Sequence, residues 1–202
     1  MPKVIADITM SLDGYVTGPG ADDAHGLGDA EQLHDWVVDR DPVDSGILES
    51  STAATGAVVM GRRLFDLVDG PHGWTGEMGY GAQEVGTPPF FVVTHSPPDD
   101  VRLAREQGLR FTFVDGVAAA VDQARGAATH GHVVIMGGGD IIGQALEAGL
   151  VEELHLHIAP MLTGGGTPLF RAGTRQQYRQ REVLPSSHAV HVVYERADDA
   201  GA

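Results

Sequence analysis

Val133-Val-Ile-Met-Gly137-Gly138-Gly139-Asp140-Ile-Ile-Gly-Gln-Ala-Leu146 reads as a short buried strand, a glycine triplet and the first turns of a helix. Amides at a helix N-terminus lack intrahelical acceptors and carry the positive end of the macrodipole. Glycine lets a bulky anion approach them because no Cβ intervenes. A strand–glycine–helix corner is therefore a seat for a phosphate or pyrophosphate. The spacing is neither G-x-G-x-x-G nor G-x-x-x-x-G-K-[ST], so the two common nucleotide fingerprints are absent. Taken alone, the triplet is explained equally well by a tight turn in an α/β fold.

Outward from the triplet, strands and helices alternate. Lys3–Met10 alternates and reads as a strand, followed by a long Gly/Asp/Pro-rich loop over Ser11–Asp29. Ala30–Arg40 has Leu33, Trp36 and Val37 at helical spacing, and a second helix is expected over Val43–Ser51 after Pro42. Ala57–Met60 is a buried strand that runs through Gly61-Arg62-Arg63 into a helical turn with Leu64, Phe65 and Leu67. Gly70–Pro89 is a second Gly/Pro-rich loop. Phe90–Thr94 and Leu109–Val114 read as strands, Gly116–Ala128 as an alanine-rich helix and Asp140–Ala148 as a helix that Asp140 caps. Glu153–Ala159 alternates strictly, and Arg179–Leu184 with Ala189–Arg196 reads as a terminal antiparallel hairpin. The fold class is α/β: a mostly parallel central sheet, helices on both faces and an antiparallel C-terminal hairpin.

The 202 residues fit a single domain, 1–202, with a frayed tail from Asp198. With no cysteine there are no disulfides, zinc–thiolate sites or thiol nucleophiles. A net charge of −15 repels nucleic acid and anionic membranes, so neither is an expected partner. No signal-peptide core and no apolar run of spanning length are present, and a cytoplasmic location is the expectation. Against that negative field an anionic ligand needs a local positive site, which makes the 13 Lys and Arg informative.

In parallel α/β sheets, ligands sit beyond the carboxyl ends of the strands. The Ser11–Gly18 loop, Gly61-Arg62, Thr94-His95 and Gly137 all follow strands at that end. Arg62 follows a strand and opens a helix, so its guanidinium and the helix dipole add at one phosphate.

Met10-Ser-Leu-Asp-Gly-Tyr-Val16, Val58-Val-Met-Gly-Arg62, Phe91-Val-Val-Thr-His95 and Met136-Gly-Gly-Gly139 occur in that order. Glu153-Leu-His-Leu-His157 then leads to Pro160-Met-Leu-Thr-Gly-Gly-Gly-Thr-Pro-Leu-Phe170. This ordered set resembles the dihydrofolate-reductase-like superfamily. Within it, the chain is similar to the C-terminal reductase domain of bacterial riboflavin biosynthesis deaminase-reductases. The resemblance implies an NADPH-binding reductase with eight or nine strands, often a homodimer. It also implies the site residues. Gly137, Gly138, Gly139, Asp140, Ile141 and Ile142 match the pyrophosphate loop. Gly61, Arg62 and Arg63 match the loop that holds the phosphates and the 2′-phosphate, and Thr94 and His95 lie beside the adenosine ribose. Leu12, Asp13, Gly14 and Val16 match the loop over the nicotinamide.

Asp140 departs from relatives that carry a basic residue there, so NADH stands beside NADPH as the cofactor, and discrimination rests on Arg62, Arg63 and His95. Hydride transfer needs a held nicotinamide, a substrate at contact distance and often a proton source. Asp13 is the candidate catalytic polar group, although Asp-Gly also simply makes turns. Glu31, Asp35 and Glu49 read as surface carboxylates. Trp74, Met78 and Tyr80 are candidates for a substrate pocket, with loop packing as the alternative. Arg171 and Arg175 are the only basic residues available near Pro160–Arg175 for a substrate phosphate. The deaminase signature H-x-E with P-C-x-x-C is absent. His155 and His157 share a strand face, and His130 and His132 are close in sequence, but two histidines alone make no metal site. The expected activity is reduction of a small pterin- or pyrimidine-type heterocycle; the alternative is a non-catalytic dinucleotide-binding module.

Overall fold

The computed structural model describes residues 1–22, 25–82 and 86–197. The tail read as frayed lies outside them. The strands are β1 (Val4–Ser11), β2 (Thr55–Gly61), β3 (Phe90–Val93), β4 (Phe111–Val114), β5 (His132–Met136), β6 (Glu153–Ala159), β7 (Tyr178–Pro185) and β8 (Val190–Arg196). They form one sheet in the order β4-β3-β2-β5-β1-β6-β8-β7. The first six in that order run parallel, and β8 pairs antiparallel with both β6 and β7. The helices are α1 (Asp35–Val38), α2 (Pro42–Ala54), α3 (Arg62–Asp69), α4 (Arg102–Gln107), α5 (Val117–Ala127) and α6 (Gly139–Glu147).

The two-residue period of the strands divides the core. Val4, Ala6 and Ile8 of β1 join Val59, Ile135, Val121, Ile142 and Leu146 on the α5/α6 face. Val58, Met60, Phe90 and Val92 point the other way and pack with Phe65, Val68 and Leu103 of α3 and α4. Asp7, Thr9 and Ser11 share that second face of β1. α2 starts where Asp41 caps it: Asp41 accepts from the Val43 and Asp44 amides while Asp44 accepts from the Asp41 amide, with Pro42 in the first turn.

Three local expectations are corrected. The helix read over Ala30–Arg40 is a 3₁₀ turn, Glu31–His34, followed by the single turn of α1, with Leu33 and Trp36 buried and Val37 exposed. Spacing by three between Leu33 and Trp36 suits that tighter winding. α4 had no counterpart in the sequence reading, because Leu103 is its only buried residue. Asp140 does not cap α6; Gly138 occupies that position and Asp140 lies inside the first turn.

Candidate nucleotide site at the carboxyl rim

Because β1, β2, β3, β5 and β6 are parallel, their following turns meet on one rim. The β5–α6 turn is built by glycines for reasons that differ at each position. Gly137 and Gly138 adopt φ of +58° and +78°, a left-handed backbone that other residues rarely take. A Cβ on Gly139 would lie 2.9 Å from the Pro168 carbonyl oxygen and 3.1 Å from Val16. A Cβ on Gly61 would lie 2.6 Å from Ile141, so β2 and α6 touch through that missing side chain. Gly138 is different: no heavy atom lies within 4 Å of where its Cβ would stand. The turn is thus packed below and open above. Ile141 and Ile142 donate their amides to the Gly138 carbonyl at 3.1 and 3.2 Å, so they shape the turn and offer no free amide. The amides before them belong to the unsatisfied end of α6.

The charges around this turn are already arranged in pairs. Asp140 meets the Arg171 guanidinium at 2.7 Å, and Arg171 also lies 3.5 Å from Glu147. The repulsion that Asp140 would exert on a phosphate is therefore offset locally. Arg62 Nε donates to both oxygens of Asp66 at 2.7 and 2.8 Å, and its Nη1 donates to the Ser96 carbonyl. This ties the start of α3 to the turn after β3. Thr94 Oγ1 accepts from the Ser96 amide in the same turn. His95 pairs with Asp115 at 2.9 Å, both side chains exposed, and such a pair contributes little. Arg63 is exposed on the first turn of α3.

Asp13 turns out to be an anchor. Its Oδ1 accepts from Ser11 Oγ at 2.6 Å and from the Thr163 amide at 3.1 Å, and its Oδ2 accepts from the Gly164 amide at 2.8 Å. The Ser11 hydroxyl chiefly, and the two amides, hold its pKa down to about 2. A carboxyl so occupied and so acidic is unsuited to donate a proton near neutrality. The loop it fixes is also pinned by Val16 N to the Thr167 carbonyl and Leu169 N to the Gly14 carbonyl, each at 2.9 Å. Leu12 remains exposed above it. With its folded-state pKa depressed below 3.8, Asp13 contributes stability above that value and loses it as pH falls toward 2. Asp13→Asn is expected to speed amide hydrogen exchange in 12–18 and 162–166 at pH 7, and the gap from wild-type melting should close toward pH 2.

The aromatic pair offered as a substrate pocket lies at the opposite end of the sheet. Trp74 and Tyr80 are buried, and both pack on Phe90, the first residue of β3. The Tyr80 hydroxyl donates to Thr55, the first residue of β2. α3 carries the chain from the carboxyl rim back to the amino ends, so Trp74 and Tyr80 pack there against the start of β3. Met78 is exposed in the same loop.

Residues 2–192 match the model of the RibD C-terminal domain. The chain belongs to that family. Among proteins of curated function, none matches the sequence significantly. A putative riboflavin biosynthesis protein from Shewanella sp. PV-4 superposes with a TM-score of 0.68 at 21% identity, covering 98% of this chain and all of that one. The deaminase/5-amino-6-(5-phosphoribosylamino)uracil reductase of Thermotoga maritima gives a TM-score of 0.67 at 14% identity. The match covers 97% of this chain but only 57% of that protein. Dihydrofolate reductase from Enterococcus faecalis, complexed with NADP(H), gives 0.58 at 15% identity over 97% of each chain. The sheet is thus dihydrofolate-reductase-like, as the sequence resemblance implied.

In this member of the RibD C-terminal family, the second face of β1 carries a polar network that the sequence reading missed. His157 Nε2 lies 3.0 Å from Asp7 Oδ1, and His157 Nδ1 lies 2.7 Å from His191 Nδ1. His191 Nε2 lies 2.9 Å from Asp44 Oδ1. Trp36 stacks on His157 with centroids 4.1 Å apart and donates its indole N–H to Thr9 at 2.9 Å. Glu31 and Glu49, the helix carboxylates considered from sequence, are exposed, and Asp35 is half-buried. The one signal available was the alternation of Glu153–Ala159, which puts His155 and His157 on one face.

Proposed function

We propose that this chain is a reductase that binds a reduced nicotinamide dinucleotide, NADPH or NADH, at the carboxyl rim and reduces a small pterin- or pyrimidine-type heterocycle. The β5–α6 turn carries this reading. It is closed below by contacts that only glycines permit and open above Gly138, the shape a pyrophosphate against a helix N-terminus requires. The cofactor would supply the hydride. Gly137, Gly138, Gly139 and the first α6 amides would hold its pyrophosphate. The Asp13-anchored loop with Gly14 and Val16 would cover the nicotinamide. Gly61, Arg62 and Arg63 would face the remaining phosphates, with Thr94 and His95 beside the ribose.

Arg62 is placed to exchange one partner for another. Its pair with Asp66 is partly exposed, and a phosphate dianion is the stronger bidentate partner. Arg62→Ala is therefore expected to weaken NADPH by about tenfold or more, roughly 1.4 kcal/mol, and NADH by less. Calorimetric titration of both cofactors checks this; equal losses would place Arg62 away from the 2′-phosphate. Turnover is tested by NADPH oxidation against dihydrofolate and a ribosylaminopyrimidine phosphate. The engagement of Asp13 favours a second reading, a dinucleotide-binding module without catalysis. That reading expects cofactor binding with no oxidation on either substrate.

A further inference from the structure

Three contacts link four buried or half-buried groups in a line: Asp7 to His157, His157 to His191, and His191 to Asp44. Each contact needs one proton to be a hydrogen bond. Two neutral imidazoles bring two protons, and ionised carboxylates bring none. With only two, one contact lacks its proton: a lone pair faces a carboxylate oxygen at one end of the line, or the two Nδ1 lone pairs face each other in the middle. With three, every contact is satisfied, and one imidazolium charge sits between two carboxylates.

We propose that Asp7, His157, His191 and Asp44 form a line that holds one extra proton between two carboxylates and releases it through Asp7, level with the start of the glycine turn. The proposal rests on the reductase reading for its use, while the loaded state stands on geometry alone.

The two ends of the line differ in exposure. Asp7 pairs in register with Met136, the residue before Gly137. It lies level with the start of the glycine turn and keeps 19% of its side chain exposed. His157 and Asp44 are 5% and 0% exposed. At the far end Asp44 Oδ2 lies 3.2 Å from Nδ1 of His188, whose side chain is 26% exposed in the β7–β8 turn. Ser186 Oγ, 3.3 Å from His191 Nε2, can donate to that nitrogen when the third proton is missing. Trp36 lies face-on to His157, the arrangement that favours a cationic ring.

The charged and titratable surroundings are consistent with loading. Burial opposes ionisation of Asp7, but His157 chiefly, with His155 and Ser51, brings its carboxyl below the ordinary value. Burial likewise opposes ionisation of Asp44, and Ser186, the Asp41 amide, His188 and His191 outweigh it. Burial chiefly, and the neighbouring His157, lower His191 against the pull of Asp44 and Asp41. From β6, His155 lies 3.2 Å from Glu153, which Lys3 also pairs. From the 3₁₀ turn, burial chiefly, and the neighbouring His157, hold His34 below its ordinary value.

The chemical step balances. Hydride reduction of a C=N or C=O bond adds H⁻ to carbon, moves the π pair onto the heteroatom, and leaves that atom needing one H⁺. Asp7 relays the His157 Nε2 proton to it, and the nicotinamide dinucleotide is oxidised. The shared Nδ1 proton cannot refill Nε2 of a ring held under Trp36, so His157 regains its Nε2 proton from solvent through Asp7 after the product leaves. Asp7 would be a catalytic residue; His157, His191 and Asp44 act through it.

The test is ¹⁵N NMR of histidine-labelled, cofactor-free protein, with His157 and His191 assigned by His→Gln variants. One of the two rings should carry N–H protons on both nitrogens at neutral pH. Asp7→Asn and Asp44→Asn should each remove that state, with circular dichroism confirming the fold. Two neutral rings in wild type across pH 5–8 would overturn the proposal. In turnover on the two substrates named above, Asp7→Asn should lower kcat by about tenfold or more with KM for NADPH unchanged and a shifted pH profile. An unchanged kcat and profile would remove Asp7 from the proton path. If wild type binds neither NADPH nor NADH, the reductase reading fails, while the NMR result still decides whether the line is loaded.

Discussion

Asp44→Ala should lower the free energy of unfolding by about 3–5 kcal/mol, the range for breaking a buried charge network by removing one partner. The Asp44 side chain is wholly buried, and it accepts from the Asp41 amide at 3.0 Å as well as from His188 and His191. Alanine removes one half of the α2 capping box and leaves two imidazoles beside an unfilled acceptor position. Asp44→Asn keeps one acceptor oxygen and should lose markedly less. The folded-state pKa of Asp44 is depressed below 3.8. Its contribution is therefore present above that value and lost as pH falls through the lower, folded-state value. Urea unfolding at pH 7 and at pH 3 should show a large difference between wild type and Asp44→Ala at the first and a smaller one at the second. A difference below about 0.5 kcal/mol at pH 7, the ordinary range for a surface change, would mean that the network adds nothing beyond a surface polar contact.

Gly139→Val should weaken nicotinamide cofactor binding by about a hundredfold or more, close to 2.8 kcal/mol. Two segments converge on the missing side chain: Thr167-Pro168, with the Pro168 carbonyl at 2.9 Å and Thr167 at 3.2 Å, and the first-strand loop, with Val16 at 3.1 Å. A backbone oxygen cannot rotate aside as a side chain can. The start of α6 must then move relative to the Asp13-anchored loop, with a stability loss of about 1–3 kcal/mol for overpacking. Gly46→Ala is the contrast. Nothing lies within 4 Å of its Cβ position on α2, so alanine should stabilise by roughly 0.5–1 kcal/mol and leave cofactor binding unchanged. Paired thermal melts and cofactor titrations distinguish the two substitutions. Retained affinity in Gly139→Val would separate the turn from the binding site.

The architecture was legible where the chain announces it locally. Val58–Met60, Phe90–Val93 and Val133–Met136 are unbroken apolar runs, as strands buried on both faces must be. Glu153–Ala159 alternates because it lies beside the antiparallel hairpin. α4 was not legible, since six residues with one inward leucine show no period. The rim glycines and Arg62 were legible because turns and helix starts are set by neighbouring residues. The histidine line was not, because its contacts join residues 34, 147 and 150 positions apart. Singly, each member reads as a surface polar residue. For Trp74 and Tyr80 the sequence leaves a substrate pocket and loop packing both open, because a Gly/Pro-rich loop does not reveal which end of the sheet it serves. Only the return path of α3 puts it at the amino ends of the strands.

Calorimetric titration of the wild-type chain with NADPH and with NADH tests the proposed function most directly. Saturable one-to-one binding with Kd near or below about 10 μM for at least one of them, lost in Gly139→Val, is the expected result. No saturable heat with either up to about 1 mM, from protein whose melting curve shows it folded, would contradict a nicotinamide site at the glycine rim.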